Sequence, residues 1–101
     1  MTYNYTFHEK AQLDYEESLL YYLGGGKKAG EVFIDAIDAS IKLICEHPKR
    51  WRNIYKNFHE INVRKYPFLI IYVIDEEEEM IIITAVYHHK RNPQNKYLAL
   101  K

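Results

Sequence analysis

The chain carries one cysteine, Cys45, in 101 residues. A lone thiol cannot close an internal disulfide, which excludes the small disulfide-stapled folds and fits a reducing compartment. Three prolines and four glycines are too few for a collagen-like or linker-rich chain. The longest apolar run, Phe68 to Ile74, falls far short of the roughly 20 residues that span a bilayer. At the N-terminus, Met1-Thr2-Tyr3-Asn4-Tyr5 has no basic segment leading into an apolar one, so no secretory leader is expected. These absences predict a cytoplasmic protein that makes no use of a membrane. Net charge is lacking too, since 14 basic and 14 acidic side chains cancel. General binding to polyanions is therefore a poor expectation.

What is present is a 48% hydrophobic composition, enough for one core in a single domain over residues 1–101. The charges that cancel overall are unevenly spread. Residues 1–40 hold three basic and seven acidic side chains, residues 41–74 hold seven and two, and 80–101 hold four and none. Only the run Asp75-Glu76-Glu77-Glu78-Glu79 interrupts a basic second half, which points to a local anionic partner.

Hydrophobic periodicity sets the element order. Tyr3 to Phe7 alternates as a short strand. Thr6 and Glu9 have capping-box spacing, which predicts a helix with Ala11, Leu13, Leu19, Leu20 and Leu23 as its apolar stripe, ended by Gly24-Gly25-Gly26. Ala29, Val32, Phe33, Ala36, Ile37, Ser40 and Ile44 mark a second helix over about 27–46, closed by Pro48. The period then changes to two: Ile61 and Val63 alternate with polar neighbours, Phe68–Ile74 reads as a central strand, and Met80–His88 returns after the acidic loop. The expected fold class is α+β with the order β-α-α-β-β-β. In it a helical hairpin packs on one face of an antiparallel sheet, and the other face stays open for function.

Two strings carry a family resemblance: Arg64-Lys65-Tyr66-Pro67-Phe68-Leu69-Ile70-Ile71-Tyr72-Val73-Ile74-Asp75 and Ala85-Val86-Tyr87-His88-His89-Lys90-Arg91-Asn92-Pro93. With the helices upstream, the chain resembles the RelE/ParE superfamily of bacterial type II toxins over essentially its whole length. The resemblance implies a RelE/ParE-like fold, growth inhibition, a role in plasmid stabilisation, and a cognate antitoxin that neutralises the toxin. Operator DNA would be reached only through that antitoxin. RelE-like members are endoribonucleases that cut mRNA on the ribosome, whereas ParE-like members are not nucleases and poison DNA gyrase. RelE-like nucleases carry an arginine near the start of the central strand, where Phe68 follows Pro67 here, and an aromatic-Pro-Phe step is more typical of ParE. The ParE-like reading is therefore favoured. The RelE-like nuclease and an inactive toxin-fold binding module remain as alternatives.

RNA cleavage would need a base for the 2′-hydroxyl, cations for the phosphorane and an acid for the leaving oxygen. Under the RelE-like alternative the catalytic candidates are Arg64, His88, Arg91 and Tyr97, with His89 as a substitute for His88. Lys65, Tyr66, Tyr87 and Lys90 are the binding candidates, the tyrosines by stacking on bases. The plain counter-reading is that cations at strand ends only solubilise the surface, and that Arg64 is fixed by Glu60 on a shared face. Adjacent His88 and His89 should point to opposite faces, and no metal or other cofactor is expected. Cys45 reads as core, and the glutamate run as a solvated hairpin loop. A partner could lay a helix along the hairpin, add a strand to a sheet edge, or cover the basic 41–67 and 90–101 regions with acidic residues.

Overall fold

The switch of hydrophobic period near residue 50 separates a helical layer from a sheet layer. In a computed structural model, which describes residues 2–89, strand β1 (Asn4–Phe7) leads into helices α1 (Glu9–Leu23) and α2 (Lys27–Glu46). Strands β2 (Arg52–Tyr55), β3 (Phe58–Asn62), β4 (Phe68–Asp75) and β5 (Met80–His88) follow. They form one sheet in the order β1-β5-β4-β3-β2. The helical hairpin covers one face, as the sequence implies, but the sheet is mixed. β1 runs parallel to β5, pairing Asn4 with Met80 and Phe7 with Ile83, because the hairpin carries the chain across the sheet before β5 returns beside β1. The short strand β2 also escapes the pattern. It pairs antiparallel with β3 and forms the edge opposite β1.

α1 opens two residues later than the capping-box spacing implies. Thr6 stays in β1 opposite Ile82, and His8 is the cap, its Nδ1 accepting the Lys10 N–H at 3.2 Å. The buried stripe of α1 also differs. Ala11 and Ser18 are buried, with Tyr15, Leu19 and Tyr22 packed beside them. That spacing of three and four residues turns Leu13, Leu20 and Leu23 to solvent, at 54%, 68% and 42% exposure. α2 follows its expected stripe more closely, burying Phe33, Ile37, Ser40, Ile41, Ile44 and Cys45. Burial pushes the Cys45 thiol up, with the Glu46 charge adding to it, so the cysteine is a core group rather than a nucleophile.

The core between the layers is aromatic. Phe33 stacks on Tyr22 at 4.6 Å and meets Phe68 and Tyr66 at 5.4 and 5.5 Å. β4 is buried on both sides: Phe68, Ile70, Tyr72 and Ile74 face the helices, while Leu69 and Ile71 join Ala85 in a second cluster on the far side. Tyr72 is fully buried, and its hydroxyl donates to the Pro48 carbonyl at 2.6 Å, tying the end of α2 to the middle of the sheet. The acidic run is a hairpin turn as expected, with Glu76 ion-paired to Lys49 and the Asp75 carboxylate accepting the Glu78 N–H.

A bulge in β5 decides which side chain faces which way. Ile71 pairs with Ala85 and Tyr72 with Ile83, so Thr84 is the extra residue, and its hydroxyl donates to the Ile71 carbonyl at 3.2 Å. Ile81 and Ile83 face the helices before the bulge and Val86 after it, which leaves Ala85 and Tyr87 on the far face.

Truncating Phe33 to Ala should cost about 3–5 kcal/mol, because a ring at the centre of the aromatic cluster leaves a cavity; urea unfolding measures this. Burial, chiefly, and the neighbouring Cys45 hold the Tyr72 phenol well above its usual 10.0. The folded protein therefore keeps a proton that the unfolded chain gives up, and stability should fall as pH rises above about 10. Thermal melts from pH 8 to 11 should show this loss in the native protein and a shallower one in Tyr72→Phe.

Candidate interaction face

The helices pack on one face of the sheet, and strand register sets out the side chains of the other in rows. Arg52, Glu60, Ile71 and Ala85 lie in register across β2, β3, β4 and β5. One step along, Asn62, Leu69 and Tyr87 form the next row. Ile54 and Phe58 pack with Leu69, Ile71, Ala85 and Tyr87, so the floor of this face is apolar. It is not the basic surface that the charge distribution of the second half pointed to. Leu69, Ile71 and Ala85 are only 2%, 0% and 4% exposed.

Polar groups frame that floor. The Glu60 carboxylate is buried beside Ile71. His89 stands just beyond β5, held by its N–H to the Pro67 carbonyl at 2.9 Å. Its Nε2 lies 3.2 Å from the Asn62 Oδ1, an arrangement in which Nε2 carries the hydrogen. The Tyr87 hydroxyl is buried and has no hydrogen-bond partner. The β3–β4 turn presents Arg64 and Lys65 to solvent, with Lys65 in the left-handed region at φ 68°. Two bonds pin this turn: the Val63 N–H donates to Phe68, and that of Tyr66 donates to Val63.

The candidate residues therefore separate. Tyr87 lies on the far face, with Arg64 and Lys65 at its end. Tyr66 instead packs edge-on against Tyr22 and Phe33 under the helices, at 5.3 and 5.5 Å, which removes its ring from any base-stacking role there. His88 also turns inward, edge-on to Phe68 at 5.1 Å, while His89 meets Asn62, so the two imidazoles do point to opposite faces. Phe68 is on the helix side as well, so the far-face residue at the start of the central strand is Leu69. Arg64 lies past the end of β3 and, among the described residues, makes no ion pair with Glu60. Lys90, Arg91 and Tyr97 lie outside the described residues.

Asn62, Glu60 and Arg52 were not among the candidates. The alternation of β3 already put Glu60 and Asn62 opposite Ile61 and Val63. Arg52 had no such signal, because its strand is four residues long and lacks alternation. Among the described residues no three His, Cys, Asp or Glu side chains converge to hold a metal ion, and no helix is long and apolar enough to cross a membrane.

A helical hairpin on one side of this mixed sheet defines the RelE/ParE toxin fold. Residues 5–93 match the family described as the ParE toxin of type II toxin-antitoxin system, parDE, and the chain belongs to that family. Its structure is similar to that of the chromosomal ParDE system of P. aeruginosa, with a TM-score of 0.70 and 15% identity over 86% of this chain and 96% of that one. The RelBE2 toxin–antitoxin complex of Mycobacterium tuberculosis superposes with a TM-score of 0.61 at 15% identity, covering 87% of this chain and 99% of that one. Isolated E. coli RelE gives 0.64 at 14% identity, covering 97% and 96%. No curated protein matches the sequence.

Tyr87→Phe removes a buried hydroxyl that has no partner. It should leave stability unchanged or raise it by up to about 1 kcal/mol, since nothing is left unpaired in its place; the urea midpoint is the measurement.

Proposed function

We propose that this type II toxin arrests growth through DNA gyrase, as a non-enzymatic inhibitor, rather than by cutting messenger RNA. The observation that supports this reading is the far face of the central strand. Leu69 and Ile71 stand there with no cation between them, and Glu60 lies beside Ile71. A scissile phosphate needs positive charge facing it, and the far side of β4 supplies none, Leu69 and Ile71 being themselves buried. The match to the ParE family points the same way. A large protein target suits the exposed β3–β4 turn, where Arg64 and Lys65 would steer its approach.

Its neutralising partner is a cognate antitoxin. The P. aeruginosa relative is a ParDE system, and the M. tuberculosis relative was solved as a toxin–antitoxin complex. Two features of this chain could receive such a partner. The exposed Leu13, Leu20 and Leu23 of α1 would take the apolar face of a helix, and the outer edges of β1 and β2 would take an added strand.

Expression without antitoxin should stop growth with an SOS response, and the purified protein should inhibit gyrase supercoiling while leaving ribosome-bound message intact. Cleavage of that message with supercoiling untouched would overturn the proposal. Replacing Arg64 and Lys65 together by Ala should weaken inhibition by about tenfold, mainly through slower association. Both are exposed, so stability should stay within about 0.5 kcal/mol.

A further inference from the structure

The basic part of the chain is densest between α2 and β3. From His47 to His59 it carries four Lys and Arg side chains and no acid. The balancing acids lie mostly in residues 1–40 and in the 75–79 turn, so a net charge of zero hides a local positive excess. Arg50, Arg52, Tyr55 and Lys56 are all exposed, on β2 at the sheet's edge or on the turns that flank it.

These charges are not spent inside the molecule. Among the described residues Lys10, Lys27 and Lys49 make ion pairs, whereas Arg50, Arg52 and Lys56 make none. Of the acids nearest in sequence or pairing, Glu60 is buried, Glu76 is held by Lys49, and Glu46 is exposed at the end of α2. Two of the three cations lie over rings instead. The Arg50 guanidinium is 5.4 Å from the centre of the Trp51 ring, and the Lys56 ammonium 5.2 Å from that of Tyr55. Trp51 is fixed in turn, its indole N–H donating to the Leu43 carbonyl at 3.3 Å. Lys56 sits on the β2–β3 turn at φ 47°, where the Asn53 amide donates to the Lys56 and Phe58 carbonyls at 2.7 and 3.0 Å. A cation laid on a ring keeps its charge but has less side-chain freedom left to lose when an anion arrives.

The edge itself is poorly fitted to an added peptide strand. β2 has four residues, its register with β3 shifts between Asn53 and Tyr55, and it carries charge, all of which oppose pairing with another chain. Recognition therefore falls to the side chains. The rings act as supports for cations rather than as platforms for unpaired bases, since Trp51 packs on the core and carries Arg50, and Tyr55 carries Lys56. Guanidinium and ammonium groups set along an edge without acids suit phosphates. Arg52 and Lys56 are spread over about 13 Å, a length in which duplex DNA carries about eight charges.

We infer that Arg50, Arg52 and Lys56 form a site for the phosphate backbone of duplex DNA, bound without reading its sequence. Lys56 and Arg64 flank opposite ends of β3, so the site is apart from the turn assigned to the protein target and stands whether or not gyrase is that target.

A short duplex of arbitrary sequence is titrated into the full chain over a series of salt concentrations. Trp51 is the only tryptophan, so its emission reports the surroundings of Arg50 directly. Saturable binding should weaken with salt at a log–log slope of about −3, one count for each cation. Arg50→Gln, Arg52→Gln and Lys56→Gln should each reduce that slope by about one, and the triple variant should lose about tenfold or more in affinity at low salt. Lys28→Gln, an equal loss of charge on the exposed first turn of α2, should leave the slope unchanged. Thermal melts establish that each variant is folded. Absence of saturable binding at low salt overturns the inference and leaves the cations as guards of an open edge. Equal effects of Lys28→Gln and the patch variants overturn the site. Competition by poly-glutamate as strong as by duplex reassigns the patch to an acidic polypeptide, and tighter binding of a single strand that is lost in Tyr55→Leu reassigns it to unpaired bases; either result overturns duplex DNA as the occupant.

Discussion

Everything in this molecule hangs on a central strand that must be covered on both sides. β4 has apolar side chains on each face, so the chain has to supply two separate apolar layers to keep it from water. The helical hairpin supplies one through Phe33, Ile37 and Ile44, and the floor of Leu69, Ile71 and Ala85, flanked by Ile54, Phe58 and Tyr87, is the other. The apolar far face thus follows from the packing before any question of target arises.

The central strand and both helices were legible because their signal is dense. Seven consecutive apolar residues cannot lie at a surface, and α2 repeats its apolar positions over five turns. Features set by pairing between distant segments were not legible. Nothing in Tyr3–Phe7 states that its neighbour is β5 or that the two run parallel, and β2 is too short, and lacks the alternation, to read as a strand. The stripe of α1 was misjudged because leucine outranks tyrosine on any hydrophobic scale. The helix nevertheless turns Tyr15 and Tyr22 inward, where large rings meet Phe33.

The candidate site was harder still, and one residue explains why. Simple alternation from Met80 would carry Ala85 and Tyr87 to the helix side along with Ile81 and Ile83. The bulge at Thr84 inverts that parity, sending Tyr87 to the far face and His88 into the core. The only trace in the sequence is the pair Ala85-Val86, two apolar residues in succession where alternation calls for one. The split between His88 and His89 could be read from adjacency alone, but which of them lay on the helix side could not.

The parallel pairing of β1 with β5 has a temporal consequence. Asn4 meets Met80 across the sheet, so a strand made before both helices waits for one made after β4. Contacts at such sequence separation form late, after the local helices and the β4–β5 hairpin. A nascent chain can therefore assemble α1, α2 and the β3–β4 hairpin but cannot close the sheet until β5 has been made. The closed sheet is the last part of this fold to exist, and any partner that reads β1 and β5 together has nothing to bind before then.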